Sequence, residues 1–400
     1  MLCTASILTF VALAGADRIS QALFGTSEYA YPGALALLSV AASATSQPLV
    51  LGIQFRRHVR RYVWITAATA SLGGALGLVL VGIFGRGLQG VLEAQLASQL
   101  ALVTLAAREA WKAGTPRIDI RAARSLLQLG LPLVPSFYFL LVLQQGNQFL
   151  LKELRSLEEL GVYVVGYNLG LVMSLIVSGF TTAWMPFFLS FSRDPESGRE
   201  RLSGAMTYYV IAVGTLTLMF FVWSRPVVDL LAASPYHDAQ IVVGYSAAAY
   251  FLVGVFSLLL PPLYYAKQVW AVTLIQGVGA LAAVFLQTAL IAQLGVLGAG
   301  IGLTAGFLLL CFLLYGWIRI HSEQYLLIPY KWGRIFAFGG LILLGAIAFS
   351  IPIRLSVIAT VGWSLAASAL TLGIAWTVLR SDERRTLAAS ARSVFAPVRT

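Results

Sequence analysis

The chain has 400 residues, of which 59% are hydrophobic and only 11% are charged, and its mean hydropathy is +0.84. This composition argues against soluble domains and predicts a membrane protein. In a membrane protein, a net charge of +11 indicates the placement of Lys and Arg on one side of the bilayer before it indicates nucleic-acid binding. Two cysteines, Cys3 and Cys311, and three isolated histidines, His58, His237 and His321, argue against a disulfide framework and a metal centre.

Twelve apolar segments remain when the chain is cut at its charged clusters, and each is near the ~20 residues that a helix needs to cross a bilayer. The predicted spans are 1–16, 30–54, 62–84, 88–107, 129–151, 160–190, 204–223, 240–265, 269–292, 296–318, 335–351 and 356–379. The sequence therefore predicts an all-α, polytopic membrane protein with about 12 transmembrane helices.

The distribution of Lys and Arg predicts the direction of these spans. With the N-terminus inside, 21 of the 27 basic residues fall in inside connections or in the C-terminal tail, and six fall outside. This asymmetry follows the positive-inside rule and predicts a multi-pass protein of the cytoplasmic (inner) membrane with both termini cytoplasmic and no nucleic-acid partner. Ala14-Gly15-Ala16 is similar to a signal-peptidase site, but no Lys or Arg precedes it, so a transmembrane helix is favoured over a cleaved signal.

An internal repeat with an offset near 207 residues relates the two halves of the chain. The segment 18–29 aligns without a gap to 225–236, and Val63-Trp64 falls on Val269-Trp270. Agreement of these offsets, with the same helix order and sidedness, favours a parallel duplication.

The repeat predicts four parts of the chain. They are a partial N-terminal lobe of four helices (1–110), a basic cytoplasmic linker (111–128), a C-terminal lobe of six helices (129–320), and an extra helix pair with a basic cytoplasmic tail (321–400). Two helices of the first lobe are expected to be missing from this chain. A misassigned start, a degenerate copy or a natural 4 + 6 + 2 architecture remain alternatives.

Three short motifs in the second half resemble a known family. They are Leu-Gly-Leu-Pro-Leu-Val-Pro-Ser at 129–136, Gly-Val-Tyr-Val-Val-Gly-Tyr at 161–167 and Ala-Trp-Met-Pro-Phe at 183–187. These resemble the Wzx-type polysaccharide-biosynthesis flippases of the multidrug/oligosaccharidyl-lipid/polysaccharide exporter superfamily. The resemblance implies alternating-access movement of a polyprenyl-diphosphate-linked oligosaccharide to the outer leaflet, for a surface polysaccharide such as lipopolysaccharide O-antigen or exopolysaccharide, alongside polymerase machinery.

The chain departs from this family at one place. Many relatives have an Asp-Arg pair where this sequence has Asn147-Gln148, and neither amide can titrate. Any role of that pair in ion coupling or in binding a diphosphate headgroup is therefore in doubt for this chain.

Polar residues inside two predicted spans are candidates for contact with the translocated substrate. On the sixth span a narrow helical face contains hydroxyls and two aromatic rings: Tyr163, Tyr167, Gly170, Ser174, Ser178 and Thr181. The fifth span contributes the amides Gln144, Asn147 and Gln148, too many for a surface that faces lipid only. These groups suit a sugar or a prenyl phosphate in a lumen; close helix packing by small residues, with Tyr163 at the interface, is the alternative.

Glu93 is the carboxylate that lies well within a predicted span, the fourth. Removal from water would favour its protonated form, so it is a candidate coupling acid for a proton, with Na⁺ the other candidate ion and no further cofactor expected. A structural pair with an arginine such as Arg86 is the alternative.

Rival functions are weighed by the motifs that they would need. The sequence contains no Asp-x-Asp, P-loop, His-Glu-x-x-His or Gly-x-Ser-x-Gly motif and only short predicted outer connections, so an enzyme is not expected. A cation-coupled small-molecule or drug exporter of the same superfamily is the alternative function, and Glu93 keeps it open. An inactive or accessory membrane protein is a third interpretation.

Overall fold

A computed structural model of the chain describes residues 9–10, 15–18, 20–21, 26–55, 59–112, 130–131, 134–350 and 357–378. Every regular element in these ranges is helical, and the ranges contain no strand. Seven helices within them are long and apolar enough to cross a membrane. The predicted all-α, polytopic membrane fold is therefore confirmed.

The chain divides into two compact units, Met1–Arg121 and Ala122–Thr400. The first unit contains α1 (Ala30–Phe55), α2 (Val59–Leu78) and α3 (Gly87–Lys112), with a π-helical segment, Val79–Ile83, that extends α2. Both α1 and α2 pack on α3. The Ser98 hydroxyl of α3 donates a hydrogen bond of 2.8 Å to the Thr69 carbonyl of α2, which satisfies a polar group within the pair.

The described part of the second unit contains eight further helices. They are α4 (Val134–Leu154), α5 (Leu157–Leu189), α6 (Pro195–Leu231), α7 (Gln240–Leu259), the short α8 (Pro261–Tyr265), α9 (Val269–Ile320), α10 (Trp332–Ser350) and α11 (Val357–Val378). A 3₁₀ turn, Ser234–Ala239, joins α6 to α7. The core lies where α5, α6, α7 and α9 meet, and α6 and α7 are the most extensively buried spans. Large apolar side chains such as Phe285 remain exposed on the outside, as lipid contact requires.

The long element α9 is a helical hairpin. Gly295 interrupts it with φ 56° and ψ −128°, a backbone conformation that residues with a Cβ rarely adopt. Contacts of the second half with the first run antiparallel, since Gly302 lies against Gln287 and Gly306 against Ala283. The glycines at 298, 302 and 306 share one face and allow this close approach. The hairpin therefore provides two spans, as predicted from 269–292 and 296–318.

Several predictions fall outside the described ranges. These are most of the first predicted span, 1–16, nearly all of the linker 111–128 and the basic tail after residue 378. The predicted lobe boundaries and the missing pair of helices remain predictions. Within the described ranges the helices often continue past the predicted spans, as α6 does on both sides of 204–223.

Candidate functional site

The eight substrate-contact candidates lie on two consecutive helices of the second unit. Gln144, Asn147 and Gln148 are on α4, and Tyr163, Tyr167, Ser174, Ser178 and Thr181 are on α5. Ser156 separates these helices and caps α5, because its hydroxyl accepts a hydrogen bond of 3.2 Å from the Glu159 backbone N–H. Glu158 and Glu159 add negative charge to the first turn of α5, which favours a helix start at this point.

The structure brings Asn147 and Tyr163 together inside the unit. Both side chains are fully buried, and Asn147 Nδ2 donates to the Tyr163 hydroxyl oxygen at 2.5 Å. The same amide nitrogen lies 3.4 Å from the Ala299 carbonyl oxygen of α9. This polar contact therefore links α4, α5 and the second half of the hairpin within an apolar interior.

A row of tyrosines continues from this contact toward α7. Tyr163 stacks on Tyr167 with ring centroids 5.8 Å apart, and the Tyr167 and Tyr250 hydroxyls lie 2.8 Å from one another. Tyr167 is buried and Tyr250 partly buried. One hydroxyl donates to the other, so each oxygen takes part in a hydrogen bond while the rings pack in the interior.

Two buried polar residues on α7 and α9 were missed by the sequence analysis. Gln287 on α9 and Ser246 on α7 are fully buried, and within the described residues neither side chain has a hydrogen-bond partner. Asn147 Oδ1 is unpaired in the same sense. Leaving such groups unpaired in an apolar interior costs about 1–3 kcal/mol each. The rule that applies to intramembrane amides could have found Gln287.

The remaining members of the polar face are accessible. Ser178 is exposed, and Ser174 and Thr181 are half-buried. The Ser178 hydroxyl donates 3.0 Å to the Leu175 carbonyl and the Thr181 hydroxyl 3.1 Å to the Ser178 carbonyl, so each oxygen keeps its acceptor capacity. The predicted face is therefore divided into a buried half near Tyr163 and an accessible half near Ser178.

The amides of α4 divide in the same way. Gln144 and Gln148 are half-buried, unlike Asn147, and Gln148 Nε2 donates 2.7 Å to Gln145 Oε1. This pair lies near the surface of the unit and is free to exchange its hydrogen bond for one to a polar ligand. Asn147 is therefore the buried member of the three α4 amide residues, and Gln144 and Gln148 are the accessible ones.

In the first unit Glu93 forms an ion pair. Its carboxylate lies 2.8 Å from Arg86 Nη1 and accepts a hydrogen bond of 3.1 Å from the Tyr31 hydroxyl. The Glu93 side chain is 20% exposed and that of Arg86 54% exposed, so protein does not enclose the pair. The pairing considered as an alternative in the sequence analysis is present, and a coupling role for Glu93 remains a prediction.

No group of three His, Cys, Asp or Glu side chains that could hold a metal occurs among the described residues. Cys311 is buried and free, and its thiol lies 3.5 Å from the Leu252 carbonyl oxygen. The buried polar side chains among the described residues are serines, threonines, asparagine and glutamines, all of them neutral.

Apolar helices of spanning length around this interior define a multi-pass α-helical membrane protein. Residues 1–241 match the family described as "Polysaccharide biosynthesis protein", and the chain belongs to this family. Among solved structures, the fold is similar to "Lipid II flippase MurJ, inward closed conformation", with a TM-score of 0.54 and 12% identity over 93% of this chain and 80% of the other. No curated protein sequence gives a significant match. The family expected from the motifs is confirmed.

Proposed function

We propose that the protein flips polyprenyl-diphosphate-linked oligosaccharide or polysaccharide repeat units to the outer leaflet by alternating access. The family match over residues 1–241 is the observation that supports this most directly, because the family's description is polysaccharide biosynthesis. The fold adds support, since the similar MurJ structure is that of a lipid II flippase. In this proposal the protein is a transporter of the inner membrane with cytoplasmic termini, and it passes its substrate to polymerase machinery.

The accessible polar residues of α4 and α5 are proposed to contact the saccharide. Ser178, Thr181 and Gln148 offer hydroxyl and amide groups at the surface of the unit, and their present hydrogen bonds are local. Sugar hydroxyls can replace such bonds at little net cost. Tyr163 and Asn147 are buried, so their proposed role is to hold α4 against α5 and thereby position the accessible groups.

The leaflet distribution of the lipid-linked saccharide tests this function. Cells that lack the gene should accumulate the saccharide on the cytoplasmic face, measured with a membrane-impermeant glycan-modifying enzyme in vesicles of both orientations. Restoring the 400-residue chain should relieve the accumulation. If deletion causes no accumulation, the flippase proposal is wrong and a small-molecule exporter of the same superfamily becomes the better explanation.

A double substitution tests the proposed contact surface. Ser178→Ala with Thr181→Val removes two hydroxyls without removing bulk. If both hydroxyls contact substrate, each lost hydrogen bond contributes ~1 kcal/mol or less, and we expect accumulation to be relieved about tenfold more slowly. Ser197→Ala is the matched control, because Ser197 is also exposed and its hydroxyl also bonds locally, to the Asp194 carbonyl. Equal rates for the two variants would contradict the proposed contact.

Coupling to a proton, or to Na⁺, is proposed to involve the Arg86–Glu93 pair. Protonation of Glu93 would remove its attraction to Arg86 and free the guanidinium, while Tyr31 would keep a hydrogen bond to the carboxyl group. We expect Glu93→Gln to abolish the dependence of transport on a pH gradient. Glu109→Gln is the control, since Glu109 is an ion-paired glutamate on the same helix, 2.9 Å from Arg61. Wild-type pH dependence in Glu93→Gln would exclude this coupling site.

A further inference from the structure

A groove at the predicted cytoplasmic end of the second unit is separate from the polar face described above. It has a volume of about 770 Å³ and is lined by the end of α5, the second to fourth turns of α6 and the segment that leads into α10. Its polar lining residues include Glu200, Arg201, Ser203 and Lys331, and Phe187 and Pro329 supply apolar surface. We call this feature the Arg201 groove.

Hydrogen bonds fix the two walls of the Arg201 groove to one another. The Ser203 hydroxyl donates to the Pro329 carbonyl at 2.5 Å, and the Arg199 guanidinium donates to the Leu327 carbonyl. Arg199 also pairs with Glu196 at 2.9 Å. These contacts join α6 to the segment before α10, so the groove is a built surface and not a gap beside a loose connection.

The charge of the groove is positive by one unit. Arg201 and Lys331 are exposed, and neither has an ion-pair partner among the described residues, whereas Glu200 contributes a single negative charge. The Arg201 guanidinium lies 5.8 Å above the Phe191 ring, which restricts its position without neutralising it. A net charge of +1 in an open groove fits a ligand with one negative charge.

The groove lies where charged segments of the chain meet apolar helical segments. The charged first turns of α6 end at Arg201 and are followed by an apolar run, and Lys331 directly precedes the apolar helix α10. At the start of α10, Trp332 packs on Tyr315 and Tyr330 with centroids 4.6 and 5.6 Å away. Aromatic clusters of this kind mark the level of lipid headgroups.

We infer that the Arg201 groove binds the phosphodiester headgroup of an anionic glycerophospholipid of the cytoplasmic leaflet. A phosphodiester has one negative charge, which Arg201 and Lys331 can bind. Because Glu200 reduces the net charge of the groove to +1, the groove balances a single negative charge. Phe187 and Pro329 can contact the upper part of the acyl chains. A bound headgroup would bridge α6 and the segment before α10 and so stabilise their junction.

Binding is tested on the purified full chain by native mass spectrometry, with phosphatidylglycerol and phosphatidylcholine as probes. We expect retained phosphatidylglycerol and little phosphatidylcholine. Arg201→Gln and Lys331→Gln should each weaken phosphatidylglycerol binding about fivefold. Glu200→Gln should strengthen it by a similar factor, because the groove then has a charge of +2.

Arg319→Gln is the matched control, since Arg319 is an exposed arginine on the same predicted side that does not line the groove. Unchanged thermal unfolding of the variants in zwitterionic lipid would show that they are folded. Wild-type phosphatidylglycerol binding by the Arg201→Gln/Lys331→Gln double variant would overturn the inference. So would displacement of phosphatidylglycerol by a polyprenyl diphosphate at tenfold lower concentration, because the groove would then be a site for the translocated lipid.

Discussion

The reversal of the α9 hairpin at Gly295 gives a sharp test of the fold. Gly295→Ala forces an alanine to adopt φ 56° and ψ −128°. The added Cβ would also lie 2.5 Å from Glu159 Oε2 and 2.9 Å from Arg155 Nη2. Both atoms are at the ends of flexible, partly exposed side chains, so their displacement costs little, about 0–1 kcal/mol for an exposed pair. The backbone strain therefore decides the magnitude, and we expect a loss of ~1–3 kcal/mol.

The assay is thermal unfolding of the purified chain, with Gly316→Ala as the control. Gly316 lies in the second half of the same hairpin, and an added Cβ there has no neighbour within 4 Å. Alanine is the better helix former by roughly 0.5–1 kcal/mol, so the control should be neutral or slightly stabilised. Equal unfolding midpoints for the two variants would refute the assignment of strain to Gly295.

Two further substitutions test the packing of α5 by the same unfolding assay. Tyr163→Phe removes the oxygen that accepts from Asn147 and leaves that buried amide nitrogen with only its longer contact to the Ala299 carbonyl, so we expect a loss of about 1–3 kcal/mol. An unchanged midpoint would mean that the 2.5 Å bond contributes nothing. Gly170→Ala places a Cβ 2.5 Å from Ser246 Cβ and should lower stability by ~1–3 kcal/mol. Gly179→Ala is the control, because an added Cβ at this position of the same helix meets open space. Similar losses for both variants would contradict close packing of α5 on α7.

The sequence predicted helix positions well where charges bound an apolar run. The predicted span 160–190 corresponds to α5 at Leu157–Leu189, because Glu158 and Glu159 lie at its start and Arg193 follows its end. The helix α6 extends beyond the predicted span 204–223 at both ends, and its N-terminal turns include charged residues such as Glu196 and Arg199. A solvated helix turn accommodates charges, so hydropathy finds the membrane-crossing part of a helix and not its full length.

The candidate site was predicted only in part, because periodicity along one helix does not show which helices pack against it. Helical periodicity predicted that Tyr163 and Ser178 share one face of α5, but it could not show which neighbours cover that face. Packing against α7 and contact with Asn147 of α4 bury the half near Tyr163, while Ser178 stays exposed. Periodicity gave no signal for Gln287, which lies in an apolar run, although the rule for intramembrane amides applies to it.

The sequence by itself determined that the protein is a multi-pass, all-helical membrane protein of a polysaccharide biosynthesis family. Apolar run length and local motifs are properties of neighbouring residues, so they need no tertiary information. Only the tertiary structure decided that Asn147 meets Tyr163 and Ala299, and that Arg199 meets the Leu327 carbonyl. Such partners are up to 152 residues apart, and their contact depends on how helices pack, which periodicity along one helix does not determine.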